Sequence, residues 1–207
     1  MAYSAGFSPH PKISYVGAAP TGVASEAEYL EIGLAERRDP AWVMASLDSS
    51  LPPGLDVLEC VEGGVGSLPD RIDASQWLIE LPGADVAELR GAVAAFLAAE
   101  SVEVERMTKD GRRQFDARAA VVTLQVTDTT PDDISGGTNC GILHLVVRHL
   151  TPAVRPDDVL SGLRAAAGFE ALTGARVTRL AQGLLGEDGT IGDPLAADRR
   201  PVDQPAG

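Results

Sequence analysis

Gln76-Trp-Leu-Ile-Glu-Leu-Pro-Gly-Ala-Asp-Val-Ala-Glu-Leu89 is the stretch from which the fold is read. Trp77–Leu81 has the composition of a short strand, and Pro82-Gly83 ends it. Asp85 then stands where a helix needs an acceptor for its free amides. Val86, Leu89, Val93 and Leu97 recur near helical spacing, with alanines between them. Downstream, Val102-Glu-Val-Glu-Arg106 alternates as a strand does, and Lys109-Asp-Gly-Arg112 carries a turn signature. The chain returns as one long strand over 114–126. After a polar loop over 127–139, Gly141–Val147 is a continuous apolar run, as expected of an internal strand. Pro156-Asp-Asp158 opens a helix with acids in its first turn. Val159, Leu160, Leu163 and Ala167 give that helix a core stripe, and Gly168 ends it. Ala175–Leu180 is a closing strand. Apart from the extra hairpin strand, this β-α-β-β-α-β order is the ferredoxin-like one.

Upstream lies a second block. Ile13–Val16 reads as a strand, the Gly22 loop turns the chain, and Tyr29–Leu34 returns with Leu30, Ile32 and Leu34 alternating. Asp39 and Pro40 have the cap and first-turn chemistry of a helix. Val43, Leu47 and Leu51 share one face of it, and Pro52-Pro53-Gly54 stops it. Leu55–Val61 is expected to be a further strand, making the block β-β-α-β. The expectation is therefore an α+β chain with a first unit over 1–66, a linker over 67–74 and a second unit over 75–185. The Gly-, Asp- and Pro-rich tail over 186–207 is expected to lack order.

The chain has 207 residues, 44% of them hydrophobic, which suffices for a real core. Its longest apolar runs fall well short of the roughly 20 residues of a membrane span, and no signal peptide is recognisable. The reading is of a cytoplasmic protein. Cys60 and Cys140 lack any metal-ligand spacing and read as reduced thiols. A formal net charge of −13 argues against nonspecific nucleic-acid binding by the whole surface.

One motif is more specific than these patterns. Gly6-Phe-Ser-Pro-His-Pro-Lys-Ile-Ser-Tyr15, with Ala19-Pro-Thr-Gly-Val23 and Ser25-Glu-Ala-Glu-Tyr-Leu30, resembles the signature of the radical-SAM-linked bacterial family. The likeness continues through Leu51–Val57, Met107–Arg112 and Phe115–Arg118, as far as about Gly183. Members of that family carry a basic strand and a helix ahead of the motif. The resemblance thus implies that the first block is a ferredoxin-like unit truncated at its N-terminus, and that the two units stand in tandem. It also implies a separate radical SAM protein as partner, carrying the S-adenosylmethionine and the iron–sulfur cluster. This chain lacks the cysteine triad such a cluster needs, and no cofactor, metal, membrane or DNA is expected of it.

Two groups of residues are candidates for chemistry. Two prolines brace His10 and aim Lys12, so the pair suits phosphate binding or proton transfer; equally, the loop is a braced turn with an inward-bonded His. Ser14, Glu26 and Glu28 are expected around the same mouth. The second group is Arg106, Lys109, Arg112, Arg113 and Arg118, a cationic ribbon in an acidic chain. Phe115 among them is a candidate for stacking on a base. The alternative is a solvated hairpin matched by Glu103, Glu105 and Asp116. Together with the resemblance, these groups lead to an expected role in substrate recognition during tRNA or rRNA modification. The competing readings are an enzyme using His10 and Lys12 on a phosphorylated or nucleotide substrate, and a pure docking module.

Overall fold

The computed structural model describes residues 1–5, 7–64, 66–109, 111–127, 140–170 and 174–199. In chain order the elements are β1 (Ile13–Val16), β2 (Ala24–Ser25), β3 (Tyr29–Ile32), α1 (Pro40–Asp48), β4 (Ala74–Pro82) and α2 (Val86–Ala98). They are followed by β5 (Glu103–Thr108), β6 (Gly111–Asp116), β7 (Val121–Thr127), β8 (Cys140–Arg148), α3 (Pro156–Ala167) and β9 (Arg176–Gly183). The fold is mixed α+β. Two compact units emerge: residues 1–18, 28–71 and 193–207 form the first, and 19–27 with 72–192 form the second.

The second unit is built on a five-stranded sheet in the order β2-β9-β4-β8-β7. The short β2 runs parallel to β9, and every other neighbour is antiparallel. Trp77, Ile79 and Leu81 alternate along β4 toward the helices and meet Leu143, Leu145 and Val147 of β8. Leu89 and Phe96 of α2 and Val159 and Leu163 of α3 complete the core. The helices pack closely because α3 has Gly162 at the crossing. A Cβ there would lie 2.6 Å from Cε2 of Phe96, which forces a shift in a packed interior. Caps fall where the sequence places them. Asp85 accepts from the Glu88 amide, Pro156 takes the first turn of α3, and Gly168 ends that helix at φ 69°.

Three expectations change here. The run over 114–126 is two strands, not one, separated by a 3-10 turn at Arg118–Ala120. Asp116 makes the break by accepting both the Val102 and the Arg118 amides, which turns the chain out of the small β5–β6 sheet into the large one. Leu55–Val61 is extended without a strand partner among the described residues. The Val57 amide donates to the Asp48 side chain instead, and the Leu55 amide to the Pro52 carbonyl. The start of the expected tail, residues 186–199, is also structured. Gly186 and Gly192 donate to the Thr190 and Leu184 carbonyls, and a 3-10 turn covers Ala196–Asp198. The remainder of that tail, and most of the polar loop over 127–139, lie outside the described residues.

The first unit holds the β1–β3 hairpin, α1 and the segment 193–199. Pairing is Ile13↔Ile32, Ser14↔Glu31, Tyr15↔Leu30 and Val16↔Tyr29. Among its large apolar side chains, Val16 and Leu68 are buried. Ion pairs fasten the remainder: Arg71 to Asp198 at 2.6 Å, Arg37 to Glu62 at 2.7 Å and Arg199 to Glu59 at 2.5 Å. Among the described residues no helix is long and apolar enough to cross a membrane.

Candidate functional site

The hairpin formed by β5 and β6 is a two-stranded sheet of its own. Thr108 and Gly111 close it, with the Thr108 hydroxyl donating to the Gly111 carbonyl at 2.8 Å and Gly111 at φ 111°. Opposite residues of an antiparallel pair share a face. Val104, Arg106, Phe115 and Arg113 therefore lie on one face, while Glu105, Met107 and Arg112 lie on the other. The expected cationic ribbon is split by this register. Arg112 and Arg113 present charge on opposite sides, with Lys109 at the tip.

Packing removes half of the expected contact residues. Arg106 pairs with Asp158 at 2.7 Å, donates twice to the Ala153 carbonyl and lies 4.9 Å from the Phe115 ring centre. Burial pushes the Asp158 carboxyl up, against the pull of the Arg155 amide and of Arg106. Arg118 is spent on backbone carbonyls, those of Leu97 and Val121. Phe115 is part of the core, so the expected stacking role fails for it: a buried ring offers no free face to a base. Lys109, Arg112 and Arg113 remain exposed. Arg112 approaches Glu105 at 3.4 Å, a solvated pair of little strength. Lys109 and Arg113 have no carboxylate partner among the described residues.

The Pro-braced motif lies in the first unit. Ser4 and His10 are tied backbone to backbone and by the His10 amide donating to Ser4 Oγ at 3.0 Å. Lys12 is fixed through its backbone to Ala2 and Gly33. Its stem crosses Gly33 so closely that a Cβ there would sit 2.9 Å from Lys12 Cβ. His10, Lys12 and Ser14 are exposed, and their side chains make no hydrogen bond among the described residues. Glu28 belongs to this unit, whereas Glu26 belongs to the second, where its amide donates to the Arg179 carbonyl. What the sequence reading missed is aromatic exposure along the segment that carries His10. Phe7 is fully exposed, and Tyr3 and Tyr15 are largely so. The signal was present, since Phe7 is the one large apolar residue in a run of Ser, Gly, Pro and His.

Neither other reactive-looking feature adds a centre. Cys60 lines a groove of about 850 Å³ with Arg37, Arg38, Met44 and Leu58, and burial pushes its thiol up, away from thiolate chemistry. Among the described residues no group of three His, Cys, Asp or Glu side chains is placed to hold a metal ion. The profile of a family described as an uncharacterized protein conserved in bacteria (DUF2344) matches residues 1–156. The chain belongs to that family. No curated protein and no solved structure matches it.

Proposed function

We propose that this member of the family is a substrate-binding accessory protein that holds RNA for a separate radical SAM protein. The observation that carries the reading is the β5–β6 hairpin, which stands apart from the main sheet with Lys109, Arg112 and Arg113 exposed at its end. In a chain of net charge −13, a cationic tip with charge on both faces suits phosphates on either side of it. With Phe115 buried, stacking falls to the exposed Phe7 and Tyr15, in the same segment of chain as His10 and Lys12. This is recognition of backbone shape combined with splayed bases, as single-stranded and looped RNA demands. Catalysis then belongs to the partner, which supplies the S-adenosylmethionine and the cluster. The second unit we read as ferredoxin-like. Support comes from its antiparallel order β9-β4-β8-β7, with α2 following β4 and α3 following β8. The first unit supplies a β-β-α part of a second such unit.

The test is co-purification of this chain with the radical SAM protein at two salt concentrations, followed by sequencing of bound RNA. One RNA class should be enriched at low salt and lost in the Arg112→Glu/Arg113→Glu variant. A stable complex free of RNA at both salts would leave a docking module. Turnover by the purified chain alone, abolished by His10→Ala, would make it an enzyme instead.

A further inference from the structure

At one end of the main sheet lies a buried polar cluster drawn from strands far apart in sequence. Arg179 and Gln182 of β9 are 3% and 1% exposed, and Ser75 of β4 is 1% exposed. Together they hold the strap over 24–27, which includes β2, against β9. The Glu26 amide donates to the Arg179 carbonyl at 2.9 Å, Arg179 Nε donates to Ser25 Oγ at 3.2 Å, and Gln182 Nε2 donates to the Ala27 carbonyl at 2.6 Å. Arg179 also reaches Gln182 Oε1 at 3.4 Å and lies 5.5 Å from the Trp77 ring centre. His149, just beyond β8 and itself exposed at the surface, reaches into the cluster through Nε2, 2.7 Å from Ser75 Oγ.

We propose that His149 is a proton-sensitive latch on this strap: protonation of its ring reverses the bond with Ser75 and loosens the Arg179–Gln182 clasp. With its other nitrogen held by the Ile72 backbone, the neutral ring is assigned the tautomer in which Nε2 accepts the Ser75 proton. A protonated Nε2 must donate. Ser75 then has to turn its own proton elsewhere, inside a site closed to water. Directly across the strands is Gln182, whose Oε1 serves Arg179. Turned that way, the hydroxyl brings a second donor to the oxygen that Arg179 uses and weakens its hold, and Gln182 is also the group that holds Ala27. The charged groups facing the ring are Asp73, on the chain entering β4, and Arg179, on β9. The strap's own carboxylate, Glu26, is exposed. Asp73 is already an acceptor for the Leu185 amide at 2.7 Å. Burial holds the imidazole below its ordinary range, Asp73 pulls it upward, and Arg179 adds to the lowering. Release therefore belongs on the acid side of about 6.5.

The experiment is hydrogen exchange of the full chain between pH 8 and 5, corrected for intrinsic exchange, with the peptide over 19–27 as readout. Protection of that peptide should fall about tenfold as His149 becomes protonated, because opening returns the ring to water and so favours its charged form. His149→Gln should level the response. Ser75→Ala should leave His149 titrating by NMR while the strap no longer follows it. PH-independent protection in the native chain would overturn the proposal, and so would an undiminished response in Ser75→Ala. If either variant fails to fold, the native chain still decides: the Ser25 and Ala27 amide shifts must titrate with the midpoint of the His149 ring, and a different midpoint overturns the latch.

Discussion

Helices α1 and α2 begin alike and end in different places. Each has an aspartate cap accepting a first-turn amide, Asp39 from Ala41 and Asp85 from Glu88, and each carries apolar residues at helical spacing. Yet α2 buries Leu89, Ala92, Val93 and Phe96, while α1 buries none of its residues. The two tryptophans repeat the contrast: Trp77 of the second unit is 5% exposed, and Trp42 of the first is 59% exposed. Caps and periodicity are enough to start and stop a helix, but its stability comes from the surface it covers. The second unit has that surface in a five-stranded sheet. The first has a two-stranded hairpin with Ile13, Tyr15 and Leu30 exposed, and its fastening is mainly ionic.

The sharpest break of this contrast is a matched pair of truncations. Leu143→Ala empties a site with no exposure and should destabilise the chain by about 3 kcal/mol. Leu30→Ala, at a residue 40% exposed, should destabilise by less than about 1 kcal/mol. Urea midpoints compare the two, and equal losses would refute the difference between the units. Next comes Arg106→Ala, which strands the buried Asp158 carboxylate and should destabilise by about 2–3 kcal/mol. Rescue by the added variant Asp158→Asn would identify the uncompensated charge as the cause.

Smaller still is a dependence on pH. His149 has its folded-state pKa held below the ordinary value, so the unfolded chain takes up this proton first. Stability from this residue is complete above about 6.5 and falls as the pH drops below it, by only part of the full one-proton effect because the residue is more than a third exposed. Urea midpoints at pH 7.5, 6.5 and 5.5 should show the loss in the native chain and not in His149→Gln. Glu59 and Asp198, held low chiefly by Arg199 and Arg71, also lose stabilising charge as pH falls, but only below the ordinary carboxylate range. The least effect on global stability is expected from Arg71→Ala. It releases Asp198 in the first unit and should appear as faster proteolysis near 193–199 at an unchanged urea midpoint of the second unit.

Local grammar was readable from the sequence wherever a single residue decides the backbone. Asp39, Asp85 and Pro156 start helices, Gly168 stops one, alternation marks β5, and apolar composition marks β4 and β8. Partnerships over long separations were not. Leu55–Val61 has the composition of a strand, but nothing in that composition says whether a neighbour will hydrogen-bond to it. Asp116 interrupts what otherwise reads as one strand because it captures two amides, one of them at Val102. Arg106 looks like a ligand-binding cation until Asp158, 52 positions away, takes it. Ser75 and His149 are 74 positions apart and share no motif. The tail over 186–199 has too few apolar residues to order itself, yet turns closed by Asp188 and the Arg71–Asp198 pair supply what apolar burial does not.

The most direct test of the functional account is fluorescence anisotropy with a 5′-labelled single-stranded RNA, titrated at several salt concentrations. Arg112→Glu/Arg113→Glu should weaken binding about tenfold at low salt and flatten the salt dependence by about two phosphate contacts. Phe7→Ala should weaken binding by about 1–3 kcal/mol and leave the salt slope unchanged, as loss of a stacking face would. Native affinity and native salt slope in the double arginine variant would contradict the account and take the β5–β6 hairpin out of RNA recognition.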